Sequence, residues 1–486
     1  MILTKTTNRD FFQIHNFVGN RFLPKHWADI LEDRISTKIK KIVIEYPYVD
    51  KDYRDTYYHD FSKRHSNFDR NCIRLHLFSN GFEDILSDLT VQSYESFVEC
   101  YQGFIILRDT KINTLGRSYL SPGIIKGYTH GYLALVKTEI HLNGFIFNVT
   151  AFPWMLQDAN TNRCTHVALW SIIRYFSNKY SFYPERTLHQ ITELNESEQR
   201  KNPSVGMTIE QIAQVLRDSN FFPGVYFKNT MSDITFSHIL YVIIESGLPF
   251  IAALTEGVGE GHAIAIIGHG PVESAVKYSK GKSGILDSSE LVSSLIASDD
   301  NYIPYSRVDK NVADITGKNG NKYAYSNIGA IVVPFYEKMF LDICAIFRGK
   351  SYRGCLDMIE RNYLTLPSIS PVVRRVLLTS SKSYKQFVVQ NSTDEYFRKI
   401  ISLIEMPKFI WLAEYSTPEN FDSNKVGWNI LLDATAMNYQ QDIFLAIKNR
   451  NQLMVNQGII NEKPPIMQYD LAEELEIRYT NNLEAI

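Results

Sequence analysis

Cys164 begins the run CTHVALWSIIRYF, in which Cys164, Val167, Ala168, Ile172 and Phe176 fall on one helical face. A thiol in the first turn of a helix meets free backbone N–H groups and the positive end of the helix dipole, and both favour the thiolate. Nucleophilic sulfur chemistry needs three further groups. An imidazole takes a proton, an acid or amide orients that imidazole, and a donor receives the oxyanion that forms on an attacked carbonyl. The chain offers all of them. Gln157 stands in a loop seven positions before the cysteine, where its amide N–H₂ can face an oxyanion. His262 lies where the Gly-rich turn GVGEG enters the apolar run HAIAIIG. Asp299 and Asp300 follow the strand-like run LVSSLIAS, and Asp287 competes with them as the orienting acid on spacing alone. The chemistry is thiol-based acyl transfer, for which no metal and no cofactor is expected.

The elements that must position these residues are readable around them. Thr208-Ile-Glu-Gln211 is a capping box that opens the helix IEQIAQVLRDS. A helix from about Asp233 to Glu245 stops at Gly247, with Pro249 beyond it. FIAAL and HAIAIIG flank the Gly-rich turn as a hairpin-like pair of strands. Helices precede strands here, so the fold class is α+β, not a doubly wound sheet. Before this region, IKKIVIEY reads as a strand, and YESFVECYQGFIIL as a helix running into a strand. YLALVKTEI and FIFNVTAF read as a hairpin turning at Asn143-Gly144. After it come a helix near MFLDICAIF, the strands FIWLAEY and WNILLDATA, and the acidic tail LAEELEIRYTNNLEAI. Three regions result: 1–150, mixed α/β and ending in the hairpin; 151–340, which carries the chemistry; and 341–486, mixed α/β and a possible recognition region for substrate or partner.

At these residues the chain resembles the papain-like cysteine peptidases, closest to the branch of bacterial double-glycine leader peptidases and their stand-alone relatives. The resemblance rests on Gln157…Cys164-x-x-x-Ala168-Leu169, Gly206-Met-Thr208, Ser246-Gly247-Leu-Pro249-Phe, Gly261-His262-Ala263-Ile264 with Gly268, and Asp299-Asp300-Asn301. It covers roughly residues 150 to 335 and implies a papain-like central domain, with helices preceding an antiparallel sheet. By position it implies Cys164 as nucleophile, His262 as base, Asp299 as orienting residue and Gln157 as oxyanion donor. Asp300 and Asp287 stay as alternative orienting acids. Thr165 follows the cysteine where the family usually has glycine, and the Gln157-to-Cys164 and His262-to-Asp299 spacings are longer than the family's. The implied activity is hydrolysis of a peptide or isopeptide bond in a protein or peptide. Deamidation, transglutamination and acyl transfer use the same apparatus. The reading from a different class is a binding or scaffold protein that keeps this fold without turnover.

Composition narrows the field. In 486 residues, 51 Lys+Arg stand against 53 Asp+Glu, a net charge of -2 that provides no basic field for nucleic acid. Hydrophobic residues at 44% fit packed domains and exclude wholesale disorder. Five cysteines over this length do not make a disulfide framework, and Cys72, Cys100, Cys344 and Cys355 read as packing. No run of eighteen apolar residues and no leader-like N-terminus is visible, so the expected compartment is the cytoplasm and no membrane association is expected. Other motifs fail on their chemistry. Lys280-Gly-Lys-Ser283 has Val276 where a phosphate-binding loop needs its first glycine. Residues 309–320 lack the alternating oxygen ligands of a calcium loop. His59, His65, Cys72 and His76 lack paired zinc-ligand spacing.

Overall fold

The computed structural model describes residues 3–80, 95, 97–128, 130–158, 163–194, 206–255, 261–310, 323–347, 354–367, 371–437, 443–456, 466–480 and 482–486. The GVGEG turn up to residue 260, residue 94 and most of the 309–320 stretch lie outside the described residues. The remainder is mixed helix and predominantly antiparallel sheet, in agreement with the α+β expectation.

The central sheet runs in the order Ser306–Asp309, Ser294–Ser298, His262–His269, Phe250–Leu254, Ile328–Phe335, Phe222–Phe227. Its middle strands are short β-branched and alanine runs buried on both faces, which is why FIAAL and AIAII carry no polar alternation. They pair antiparallel, Phe250 opposite Ile266 and Leu254 opposite His262. The helix Cys164–Lys179 packs on strand His262–His269, burying every residue from Thr165 to Phe176. Thr208 Oγ1 accepts from Gln211 N while Gln211 Oε1 accepts from Thr208 N, so the helix Ile209–Arg217 has the capping box expected of it. The helix Asp233–Glu245 runs to the left-handed Gly247 (φ 72°).

A five-stranded antiparallel sheet precedes this unit, in the order Leu3–Asn8, Lys41–Tyr48, Cys72–Phe78, Tyr101–Leu107, Leu115–Leu120. The hairpin forms between Val136–Leu142 and Phe145–Ala151, with Asn143 and Gly144 both at positive φ (48° and 84°). It is shorter than the apolar run suggested. Tyr132–Leu133 leaves it to pair with Gly268 and His269 on the central sheet. The approach is close: a Cβ on Gly268 would sit 2.2 Å from the Tyr132 carbonyl oxygen.

A seven-stranded sheet fills the last third, and its edge strand Ile285–Asp287 comes from the middle of the chain, parallel to Val372–Ser380. FIWLAEY and WNILLDATA pair antiparallel, as Phe409–Ser416 with Trp428–Asp433. The tail also contributes: Glu484–Ala485 pairs with Tyr132–Leu133. One hydrophobic cluster runs continuously through all three sheets, with a smaller one beneath the helices Ser381–Asn391 and Glu395–Leu403. Buried ion pairs join the regions. Arg174 Nη2 and Trp170 Nε1 each donate to Asp52 Oδ1 at 2.9 Å, and Arg375 reaches both Glu245 and Glu414 at 2.6 Å. Among the described residues no helix is long and apolar enough to cross a membrane.

Candidate active site

Sheet register delivers the acids to the histidine. Ala265 pairs with Ser298 across two antiparallel strands. Continued past that pair, the register carries residues 299–301 alongside residues 264–262. His262 Nε2 accordingly lies 3.1 Å from Asp299 Oδ1 and 3.8 Å from Asp300 Oδ1. Asp299 is held from three sides: its Oδ1 also accepts from Asn301 N at 2.9 Å, and its carbonyl accepts from Trp154 Nε1 at 2.9 Å.

The helix brings the thiol to the other side of the ring. Cys164 lies near enough to the His262 side chain, and to the backbone N–H groups of Ala263 and Thr165, for each to stabilise its thiolate. Asp299 occupies Nε2, so Nδ1 is the ring nitrogen available to a thiol. Burial pushes the thiol pKa up, but the hydrogen bond and charge of His262 outweigh it, and the thiol falls below its ordinary value. Burial likewise opposes charge on His262. Hydrogen bonds to Asp299 and Cys164 and the charge of the acids reverse this and raise it to about 11. Both shifts favour a thiolate–imidazolium pair.

Asp299 and Asp300 are 1% and 4% exposed. Burial, then the charge of Asp299, drives the Asp300 carboxyl well above the usual carboxylate range. Among the described residues, no N–H or O–H donor hydrogen-bonds either Asp300 oxygen or Asp299 Oδ2. A proton on Asp300 makes it a donor to the neighbouring carboxyl, which satisfies that arrangement. Ligand atoms of His262, Asp299 and Asp300 lie within 4.8 Å of one another, so among the described residues these three have the geometry to hold a cation. A cation there would compete with Asp299 for Nε2.

Gln157 lies on the rim. Its backbone N–H donates to the Asp300 carbonyl at 3.3 Å, its carbonyl accepts from Asn113 Nδ2 at 2.8 Å, and its side chain meets Asn301, with 2.9 Å between Gln157 Nε2 and Asn301 Oδ1. The Tyr323 ring stands 5.8 Å from the His262 ring. Neither link was legible in the sequence. Asn301 was visible only as the end of an Asp-Asp-Asn run, and Tyr323 had no local signal.

Asp287 is elsewhere. Its carboxylate pairs with Arg374 at 2.8 Å and His238 at 3.2 Å, in the contact between the central and last sheets. It is a structural ion-pair partner of those two residues, so it is not the acid at His262. Spacing alone had kept it in contention because it ends the edge strand Ile285–Asp287. His76 contacts Tyr101 and Glu45 in the core, while His59 stacks on His189 and pairs with Asp55, so these two histidines have separate partners. Cys72 is buried, and burial drives its thiol well up.

No family model matches the chain, and no curated protein matches it. Among solved structures it is similar to the peptidase domain of Streptococcus ComA, a bifunctional ABC transporter involved in a quorum-sensing pathway. Identity is 15%, the match covers 37% of this chain and 96% of that one, and the TM-score is 0.23. A likeness at that score does not bear on function.

Proposed function

We propose that the chain is a papain-like thiol enzyme that transfers acyl groups, with peptide or isopeptide hydrolysis in a protein or peptide as its leading reaction. The observation that carries this reading is a single line of contacts, from the thiol at a helix start through the His262 ring to the buried Asp299. Cys164 thiolate attacks the substrate carbonyl carbon and forms a C–S bond, with the developing oxyanion facing Gln157 and a backbone N–H. The His262 imidazolium gives its proton to the departing amine as the C–N bond breaks. Water then attacks the thioester, His262 takes a proton from it, and the thiol is regenerated. Asp299 keeps the ring aligned and stabilises its charged form. Deamidation follows the same steps with ammonia as leaving group, and transglutamination replaces water with an amine.

The flanking regions form the surfaces proposed to select the protein substrate or partner. Truncation is a poor test of that part. Val372–Ser380 pairs with Ile285–Asp287 and the tail pairs with Tyr132–Leu133, so removing them strips the central unit of its neighbours.

The enzyme reading is tested by labelling with iodoacetamide under limiting reagent and mapping the adducts. Cys164 is expected to react first, and His262→Ala to slow that reaction by about 100-fold through loss of the ion pair. Burial raises the thiols of Cys72, Cys100 and Cys355. Labelling of these at the same rate as Cys164, or indifference to His262→Ala, would defeat the reading in favour of a scaffold.

A further inference from the structure

Asn301 touches both ends of the site. Its Nδ2 lies 3.3 Å from His262 Nε2, its Oδ1 lies 2.9 Å from Gln157 Nε2, and its backbone N–H donates to Asp299 Oδ1 at 2.9 Å. The first of these contacts conflicts with the hydrogen bond from the same nitrogen to Asp299. Asp299 Oδ1 at 3.1 Å accepts from Nε2, so that nitrogen carries a hydrogen, and an amide N–H₂ aimed at it puts donor against donor. The conflict disappears when both amides turn over, which exchanges oxygen and nitrogen at nearly unchanged positions. Asn301 Oδ1 then accepts from the ring N–H, and Asn301 Nδ2 donates to Gln157 Oε1. In that arrangement neither N–H of Gln157 is spent on Asn301, and both are available to an oxyanion.

We infer that Asn301 is a positioning residue that ties the amide of Gln157 to the Nε2–H of His262, so that both N–H bonds of the oxyanion donor stay available to the substrate. This rests on the thiol acyl-transfer reading and adds a residue to it. Its chemistry needs both an acceptor and a donor on one short side chain, which Asn supplies and Asp does not. The amide is solvent-exposed at the rim, so substitution there removes no core packing.

Two probes separate the effect from the thiol itself. Alkylation by iodoacetamide displaces iodide at a saturated carbon and forms no oxyanion. Acylation by p-nitrophenyl acetate passes through one, and nitrophenolate release measures it. Asn301→Ala and the similarly sized Asn301→Asp are each expected to slow acylation about 10-fold while alkylation of Cys164 stays within about 2-fold, in the range for residues that orient a reacting group. Gln157→Ala should slow acylation about 100-fold, as for loss of an oxyanion donor. Asn301→Ala added to Gln157→Ala should then cost nothing further, because its effect passes through that amide. Equal losses in both reactions for either Asn301 variant, or losses that multiply in the double variant, overturn the inference while the enzyme reading stands. A wild-type chain in which Cys164 neither alkylates selectively nor acylates overturns both.

Discussion

His262 Nε2 sits 3.1 Å from Oδ1 of Asp299, a carboxylate 1% exposed and fixed by the strand that ends just before it. The pairing determines the pH behaviour of the thiol. His262 is raised to about 11 against the effect of burial, and Cys164 is lowered. A raised imidazolium persists until pH passes its own pKa, and a lowered thiol ionises before a free one does, at about 8.5. The ion pair therefore occupies the window between the two. The second-order rate of Cys164 alkylation should rise on the acid side of pH 8.5, hold level, and change again near pH 11. Asp299→Asn removes the negative charge, so the upper transition should move down by at least about one unit, with a rate loss of about 10-fold at neutral pH. An unmoved upper transition would show that Asp299 does not hold the ring.

The adjacent acid should behave differently. Burial and the charge of Asp299 favour the protonated form of Asp300, in which Asp300→Asn replaces one neutral donor by another. Its alkylation rate at neutral pH is expected within about 3-fold of the parent, against the roughly 10-fold loss at Asp299. Equal losses at both positions would mean that the two carboxyls share the orienting role.

Local signals explain what the sequence revealed. The capping box at Thr208 and Gln211, the Asn143-Gly144 turn and the stop at Gly247 each depend on a few neighbouring residues, and all are present. Long-range neighbours were harder. Tyr132–Leu133 has the same β-rich texture as the hairpin strand after it, and only the space above Gly268 shows why it joins another sheet. The tail looked like a charged appendage, yet two of its residues add a strand to the central sheet. At the site, the types and order of Cys164, His262 and Asp299 were legible, since helix start, strand start and strand end are local features. Excluding Asp287 required knowing that Arg374, from the last sheet, reaches it first. Linking Gln157 to Asn301 required sheet register continued beyond its last hydrogen bond.

The helix that carries Cys164 is anchored to the first region through Asp52. That carboxylate is buried and accepts from both Arg174 and Trp170. Removing it leaves the buried Arg174, among the described residues, with Glu185 as its remaining acidic partner and deprives the Trp170 indole of its acceptor. Asp52→Ala should destabilise the protein by about 3 kcal/mol, the scale of a broken buried pair. A lower urea midpoint at unchanged slope is the readout. Asp52→Asn, which still accepts from Trp170, should lose less. A shift below about 1 kcal/mol for the alanine variant, the scale of an exposed pair, would place this anchor among the unimportant contacts.

Glu245 makes the equivalent junction on the other side, and here the test is acid stability. Its carboxylate bonds His269 at 2.8 Å and Arg375 at 2.6 Å, while Arg375 also reaches Glu414. Burial would push Glu245 up, but the charge of Arg375 and the bond to His269 pull it down to about 2, from 4.5. A carboxylate depressed in the folded state stabilises above its unfolded pKa, and that contribution is lost as pH falls through the folded value. The window is thus about pH 4.5 down to about pH 2, and the contribution is on the order of 3 kcal/mol. Glu245→Gln should flatten stability across that window while lowering it at neutral pH, because Arg375 loses one of its two carboxylates. Urea midpoints at pH 7, 4 and 3 measure both effects. If the variant declines with acid as steeply as the parent, the acid sensitivity belongs to other carboxylates, with Asp287 the first to examine because Arg374 and His238 hold it lower still.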